Sequence, residues 1–320
     1  MNDLQDQIIS KAKALLKEKR VDAVLGFCRG TVPMARRPFW ARSPEEAELL
    51  CWDEFCLTNL ANFVSIDGEE VVAVTAKGCD WRNLVVHHQE GRLDVTRQIV
   101  VLGIDCEGML DPEKIRRAAG GPERVLEVHC TGEQIKISVP DGEVLIDRAS
   151  VYRQSCLECI QHAPLSADEL FQNPEPHRRP DSGDSSGEKP SLDSDTKEDA
   201  LRNHFKDCLM CFACRDICPL CYCSRCFVDV EKSHWLTAQA AIDRVLDFHF
   251  FRAHHIAGRC TECGACETAC PMNISVRQLV TKLNRDIAES TKYIPGMKMD
   301  GDVPDGVFRP SYHEPSRRRV

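Results

Sequence analysis

The chain has 320 residues, enough for two modest domains, or for one domain with a small module and a linker. Asp and Glu (50) outnumber Lys and Arg (41), a formal net charge of −9. That excess disfavours nucleic acid as the main partner, because a phosphate backbone needs a basic face to displace its counterions. Mean hydropathy is −0.33, and no apolar run approaches the roughly 20 residues of a membrane span. The N-terminus MNDLQDQIISKAKALLKEK lacks the apolar core of an export signal, so a cytoplasmic chain is expected. Nineteen cysteines in such a chain point to metal or redox chemistry rather than to disulfides.

Residues 1–164 read as strands and helices in alternation. QIISKAKALL carries apolar residues at helical spacing, and VDAVLGF follows as a strand. The text around 46–64 suits a helix. EVVAVTA (70–76) is a second strand, ending at Gly78-Cys79-Asp80 before a helical WRNLVVHHQ. QIVVLGI (98–104) is a third, ending at Asp105-Cys106, and PEKIRRAAGG is a helix with a glycine stop. RVLEVHC, QIKISV and EVLID are short strands separated by turn residues. This order favours an α/β domain with a mostly parallel sheet.

Residues 165–200 change character. HRRPDSGDSSGEKPSLDSDTKEDA is too polar to offset the entropy of ordering it, so a disordered linker is expected. Residues 201–290 are helical segments punctuated by cysteine clusters, which predicts a small α-helical domain. Residues 291–320, with scattered prolines and a closing Arg317-Arg318-Arg319, read as an extended tail.

Cys208, Cys211, Cys214 and Cys218-Pro219 fit C-x2-C-x2-C-x3-C-P, and Cys260, Cys263, Cys266 and Cys270-Pro271 repeat it. In this run three thiolates of one motif hold a 4Fe-4S cubane, and the fourth ligates the other cluster. The first three sit on a tight loop that wraps a cube; the fourth points elsewhere, and proline fixes the turn after it. One cubane is therefore expected on Cys208, Cys211, Cys214 and Cys270, the second on Cys260, Cys263, Cys266 and Cys218. Zinc is the competing reading, but its ligands usually come as paired C-x2-C without a third cysteine at the same step. Cys221, Cys223 and Cys226 exceed what two cubanes need; the spacing leaves open whether they bind metal or only surround it. The helical text between the motifs, with GRCTECGACETACPMNI, resembles the α-helical dicluster ferredoxins of respiratory dehydrogenases and heterodisulfide reductase subunits.

Cys79 and Cys106 each follow a strand, and the carboxyl ends of parallel strands open onto one edge of an α/β sheet. Cys156 and Cys159 add a C-x2-C, making four thiols, enough for a third cubane or a tetrahedral zinc. Cys28, Cys51 and Cys130 read as buried reduced thiols packing as small hydrophobes. Cys56 is open between that role and the same site.

VVAVTAKGCDWRNLV, IVVLGIDCEGMLD and CLECIQHAP resemble the beta subunits of coenzyme F420-reducing hydrogenases and F420-dependent formate dehydrogenases. The resemblance implies a 4Fe-4S cluster on Cys79, Cys106, Cys156 and Cys159 beside an FAD. Gly78, Asp80 and Arg82 of the GCDxR text are then the expected cofactor-binding residues. A flavin would convert between hydride and single-electron transfer, although no G-x-G-x-x-G fingerprint is present. The implied function is an iron–sulfur, FAD-containing electron-transfer subunit linking a hydride carrier or partner flavin to a partner redox protein. Heterodisulfide-reductase-like, hydrogenase or formate dehydrogenase subunits are the partners implied. A flavin-free ferredoxin-like relay is the alternative.

Overall fold

The computed structural model describes residues 3–64, 69–173, 194–223, 226–229, 241–301, 303–305 and 307. The chain falls into two compact units, one of Met1–Leu84 with Arg92–Gly183, the other of Val85–Gly91 with Asp184–Val320.

The first unit holds the strands β1 (Ala23–Arg29), β2 (Arg36–Ala41), β3 (Leu50–Cys51), β4 (Val72–Ala76), β5 (Ile99–Ile104), β6 (Glu127–Thr131), β7 (Gln134–Val139), β8 (Gly142–Asp147) and β9 (Glu169–Phe171). The main sheet runs β2-β1-β4-β5-β9, with β3 also pairing β1. β1, β4, β5 and β9 are mutually parallel, while β2 and β3 run antiparallel to β1. The sheet is thus mixed, and mostly parallel along its centre. Its central strands are mostly apolar because they are buried on both faces: every residue of β4, Thr75 included, is buried. β6, β7 and β8 form a separate antiparallel meander whose burial alternates, with Ile135, Ile137 and Val139 turned inward. Those residues pack with Phe55, Leu110, Ile115 and Tyr152 in one apolar cluster.

The register of the central strands positions the segments that leave them. Val72 lies opposite Ile99 and Ala76 opposite Gly103. The segments carrying Cys79 and Cys106 therefore exit the sheet side by side at its carboxyl edge.

Two sequence expectations are corrected. The text around 46–64 is no helix; it forms 3-10 turns at Glu46–Leu49 and Leu60–Phe63 with β3 between them. Its apolar residues Leu50, Cys51, Trp52, Phe55, Cys56, Leu57 and Leu60 are all buried, which no one-sided helix achieves. Side chains satisfy the backbone instead: Phe55 N–H donates to Asp53 Oδ1 at 3.0 Å and Ala61 N–H to Asn59 Oδ1 at 3.1 Å. The second correction concerns the ends of the expected linker. β9 lies inside the stretch 165–200, with Phe171 buried and Val101 N–H donating to Asp168 Oδ2 at 2.7 Å, and a helix begins at Ser194. Strand pairing to β5 supplies the order that local composition lacks. Residues 174–193 of that linker, and 308–320 of the tail, lie outside the described residues.

The second unit contains the helices Ser194–Phe205, Ala241–Ile256 and Gln278–Thr291, with one-turn helices at Ala213–Asp216 and Ala265–Thr268. Phe205, Val245, Leu246, Phe248, Ile274 and Val276 form an apolar cluster in which Cys214 is buried. Among the described residues no helix is long and apolar enough to cross a membrane.

Asn59 is only 1% exposed and also donates from Nδ2 to the Cys79 carbonyl at 3.1 Å. Asn59→Ala is expected to lower the unfolding free energy by about 1–3 kcal/mol, measured by chemical denaturation.

Candidate metal centres

In the first unit a single carbonyl ties the cysteine-bearing segments together. The His162 carbonyl accepts the Gly78 N–H at 3.0 Å and the Cys106 N–H at 3.3 Å. The chain after Cys159 is thereby held across the ends of β4 and β5. Gly78 has to be glycine for this approach: a Cβ there would stand 2.1 Å from the Gln161 carbonyl oxygen. Cys156 Sγ accepts the Met109 N–H at 3.4 Å. Cys106 is an electrostatic neighbour of Cys156 and Cys159, and Lys77 of Cys79 and Cys106. Burial pushes the Cys106 thiol up to about 12; Cys156 adds to the shift and Lys77 opposes it.

Lys77 is the residue that sequence reading missed. It is 2% exposed, and its Nζ lies 2.9 Å from Asp80 Oδ2. The same ammonium donates to the Cys56 carbonyl at 3.1 Å and the Thr58 carbonyl at 3.3 Å, and sits 4.9 Å from the Phe27 ring centroid. Burial alone would lower its pKa. Asp80 and the thiols of Cys79 and Cys106 more than offset that, holding it above the ordinary lysine value. A lysine ending an otherwise apolar strand was the available signal. Cys56 belongs with this packing: it is fully buried beside Cys51, and its carbonyl holds Lys77.

Gly78 and Asp80 have structural work in the fold. Asp80, fully buried, accepts the Leu60 N–H at 2.7 Å and the Lys77 N–H at 2.9 Å as well as the Lys77 ammonium. Gly78 faces the peptide at 161–162. Arg82 is 5% exposed. Both oxygens of Asp80 and the open side of Gly78 are taken up within the protein, so these two residues do not fit a role in meeting a flavin phosphate.

In the second unit the two cysteine runs fold into the same loop. The residue before the second cysteine and the residue after it both have positive φ: Met210 (52°) and Phe212 (60°) in the first run, Glu262 (60°) and Gly264 (73°) in the second. Each loop then enters a one-turn helix carrying the third cysteine, Cys214 or Cys266. This alternation turns backbone N–H groups toward one point, a concavity suited to anions. Glu262 N–H donates to Cys260 Sγ at 3.4 Å and Ile274 N–H to Cys270 Sγ at 3.4 Å; Met210 N–H and Leu220 N–H serve Cys208 and Cys218 alike.

Each thiol has other cysteines among its electrostatic neighbours. Cys208 faces Cys270 and Cys211, and Cys214 faces Cys266, Cys208 and Cys270. Cys260 faces Cys218, Cys263 and Cys266. The fourth cysteine of each run is thus an electrostatic neighbour of the first cysteine of the other. Cys221 donates its S–H to Cys218, which favours the Cys218 thiolate despite burial, with Arg252 and Arg259 assisting. Cys223 is exposed and Cys226 half-buried.

Buried sulfur donors suit iron–sulfur groups or zinc. Thiolates sharing one zinc at about 2.3 Å crowd together; among the described residues no group of three or more His, Cys, Asp or Glu is arranged to hold a single ion. Sequence reading also overlooked His249. It is 3% exposed, stacks on Phe205 at 4.2 Å between centroids, and brings Nε2 to 3.4 Å from Cys208 Sγ. Burial, Arg252 and His204 lower its pKa to about 3, so the ring is neutral and donates Nε2–H when Cys208 is a thiolate.

A family model described as a 4Fe-4S dicluster domain matches residues 204–274. A stretch of 103 residues is 34% identical to the F420-dependent formate dehydrogenase subunit beta of Methanocaldococcus jannaschii, covering 32% of this chain and 26% of that protein. The match therefore spans about a quarter of that relative's length. Among solved structures, a chain from the xenon-derivatised F420-reducing NiFe hydrogenase complex of Methanosarcina barkeri aligns at 14% identity, covering 49% of this chain and 63% of that one. Its TM-score of 0.35 is too low to establish a common fold. The sequence match and the dicluster model agree with the resemblance drawn from the motifs.

Asp80→Asn would leave the buried Lys77 ammonium without its counter-charge, an expected loss of about 3–5 kcal/mol in chemical denaturation. Lys77→Met combined with Asp80→Asn is expected to recover part of it.

Proposed function

We propose that this relative of the F420-linked beta subunits is an iron–sulfur electron-transfer subunit, and that its second unit passes electrons to or from a partner oxidoreductase through two 4Fe-4S clusters. One observation carries the reading. Two complete C-x2-C-x2-C-x3-C-P runs fold into the same loop, and each fourth cysteine is an electrostatic neighbour of the other run's first. A dicluster domain at 204–274 supports it.

In this proposal Cys208, Cys211, Cys214 and Cys270 hold one cluster, and Cys260, Cys263, Cys266 and Cys218 hold the second. A third is held by Cys79, Cys106, Cys156 and Cys159, on segments that the His162 carbonyl ties together through the Gly78 and Cys106 N–H groups. Bound there, such a cube takes up and releases one electron at a time. The protein's own groups do the rest. The N–H groups of Met210, Leu220, Glu262 and Ile274 donate to thiolate sulfur, and the apolar packing around Cys214 and Cys218 keeps water away. Both effects tune cluster potentials. Lys77 supplies a fixed positive charge to the third set.

Gly78 and Asp80, expected to meet a flavin, are committed to contacts within the fold. A formate dehydrogenase- or hydrogenase-like assembly, with another redox subunit as partner, is the proposed setting.

The crossed ligand sets give a direct test. Anaerobically loaded protein is expected to hold about twelve iron and twelve sulfide, four of each per cluster. Cys208→Ala and Cys270→Ala should remove the same electron paramagnetic resonance signal; Cys218→Ala and Cys260→Ala should remove the other. Loss of one signal by Cys208→Ala and Cys218→Ala together would contradict the assignment.

A further inference from the structure

Arg252, on the helix Ala241–Ile256, has a position that ligand-holding alone leaves unexplained. It is 4% exposed, and Nη2 donates to the Cys214 carbonyl at 3.0 Å. Its Nε–H is also buried and has no hydrogen-bond partner among the described residues. Burial works against the charge of this guanidinium, and the groups that counter it are the thiols of Cys221, Cys266, Cys218 and Cys214. No carboxylate is among these principal neighbours. Cys214 belongs to one proposed ligand set, Cys218 and Cys266 to the other. Arg252 is therefore fixed to the Cys214 carbonyl of one set and is an electrostatic neighbour of thiols of both.

A buried guanidinium countered only by neutral thiols is costly, because a desolvated charge needs an opposite one. Four thiolates around a cubane make an anion, and reduction makes that anion more negative by one. A fixed cation nearby therefore favours the reduced form and raises the potential. We propose that Arg252 is the shared positive charge that raises the reduction potentials of both clusters of the second unit, its free Nε–H being the donor reserved for a cluster. The inference rests on the two-cluster reading of the second unit. It makes Arg252 a positioning and charge-supplying residue, distinct from a pin for the Cys214 carbonyl.

Arg252→Gln separates the two roles, since its amide still donates to a carbonyl while the charge is gone. Arg252→Lys keeps the charge. The full chain is loaded anaerobically, iron and sulfide are counted, and each cluster is titrated by dithionite with paramagnetic resonance detection. The counts on the parent protein test the cluster reading by itself; the potentials of the variants test Arg252. R252Q is expected to keep the parental counts and to shift both clusters to lower potential. At the parental midpoint, an about tenfold drop in the reduced-to-oxidised ratio is expected, about 59 mV for one electron. R252K is expected to stay near the parent. A loaded R252Q with parental potentials, or an R252K displaced as far as R252Q, would overturn the proposal. Should R252Q not take up iron, parent protein labelled with 15N-arginine decides. A nitrogen hyperfine coupling to a reduced cluster that vanishes in R252K supports the role, and its absence from the parent overturns it.

Discussion

A chain can wrap a cube of iron and sulfur only if one short loop presents three thiolates to a single point, which an ordinary right-handed turn does not do. The second unit meets that constraint twice by bending the backbone into the left-handed region on both sides of the middle cysteine. Met210 and Phe212 do so in one run, Glu262 and Gly264 in the other. Three of these are not glycine, so strain of about 1–3 kcal/mol each is carried by the surroundings. The apolar cluster of Phe205, Val245, Leu246 and Phe248 lies beneath the first loop, with Phe212 packed edge-on to Phe248 at 5.1 Å. Helix packing, loop geometry and sulfur placement are thus one arrangement.

The first unit reaches a comparable convergence from different parts. Parallel register sets the ends of β4 and β5 side by side, and the His162 carbonyl clamps the returning Cys156–Cys159 segment across them. A glycine at 78 lets the two backbones touch, and the Lys77–Asp80 pair fills the space beneath. Charge is placed similarly in both units: a buried cation, Lys77 or Arg252, faces several thiols. Lys77 already has Asp80 as its counter-charge, whereas Arg252 has only thiols among its principal neighbours, a setting that suits thiolates better than neutral thiols.

Much of this was legible in the sequence because the informative signals were local. Metal-ligand spacing names Cys208 to Cys218 and Cys260 to Cys270 directly, and apolar runs ending in cysteine mark β4 and β5. What was not legible depends on distant partners. The 46–64 segment has helix-forming text, yet Asp53 and Asn59 bond its backbone and most of its apolar residues, Leu49 excepted, are buried. β9 has three residues and exists only because β5 offers an edge. Asp80 and Gly78 looked available to a cofactor because nothing local shows that Leu60 and Gln161 occupy them. Arg252 and His249, three positions apart on one helix, read as ordinary amphipathic text until the thiols they face are placed.

The proposed function depends on cubane iron held by the two cysteine runs of the second unit. Mössbauer spectroscopy of the full chain, loaded anaerobically with 57Fe, measures this directly. The iron is expected to appear as the delocalised mixed-valence pairs of 4Fe-4S clusters, and the share lost in a Cys208→Ala/Cys260→Ala variant is the share those two runs hold. Iron found only as isolated tetrathiolate sites, or a cubane spectrum unchanged in that variant, would contradict it.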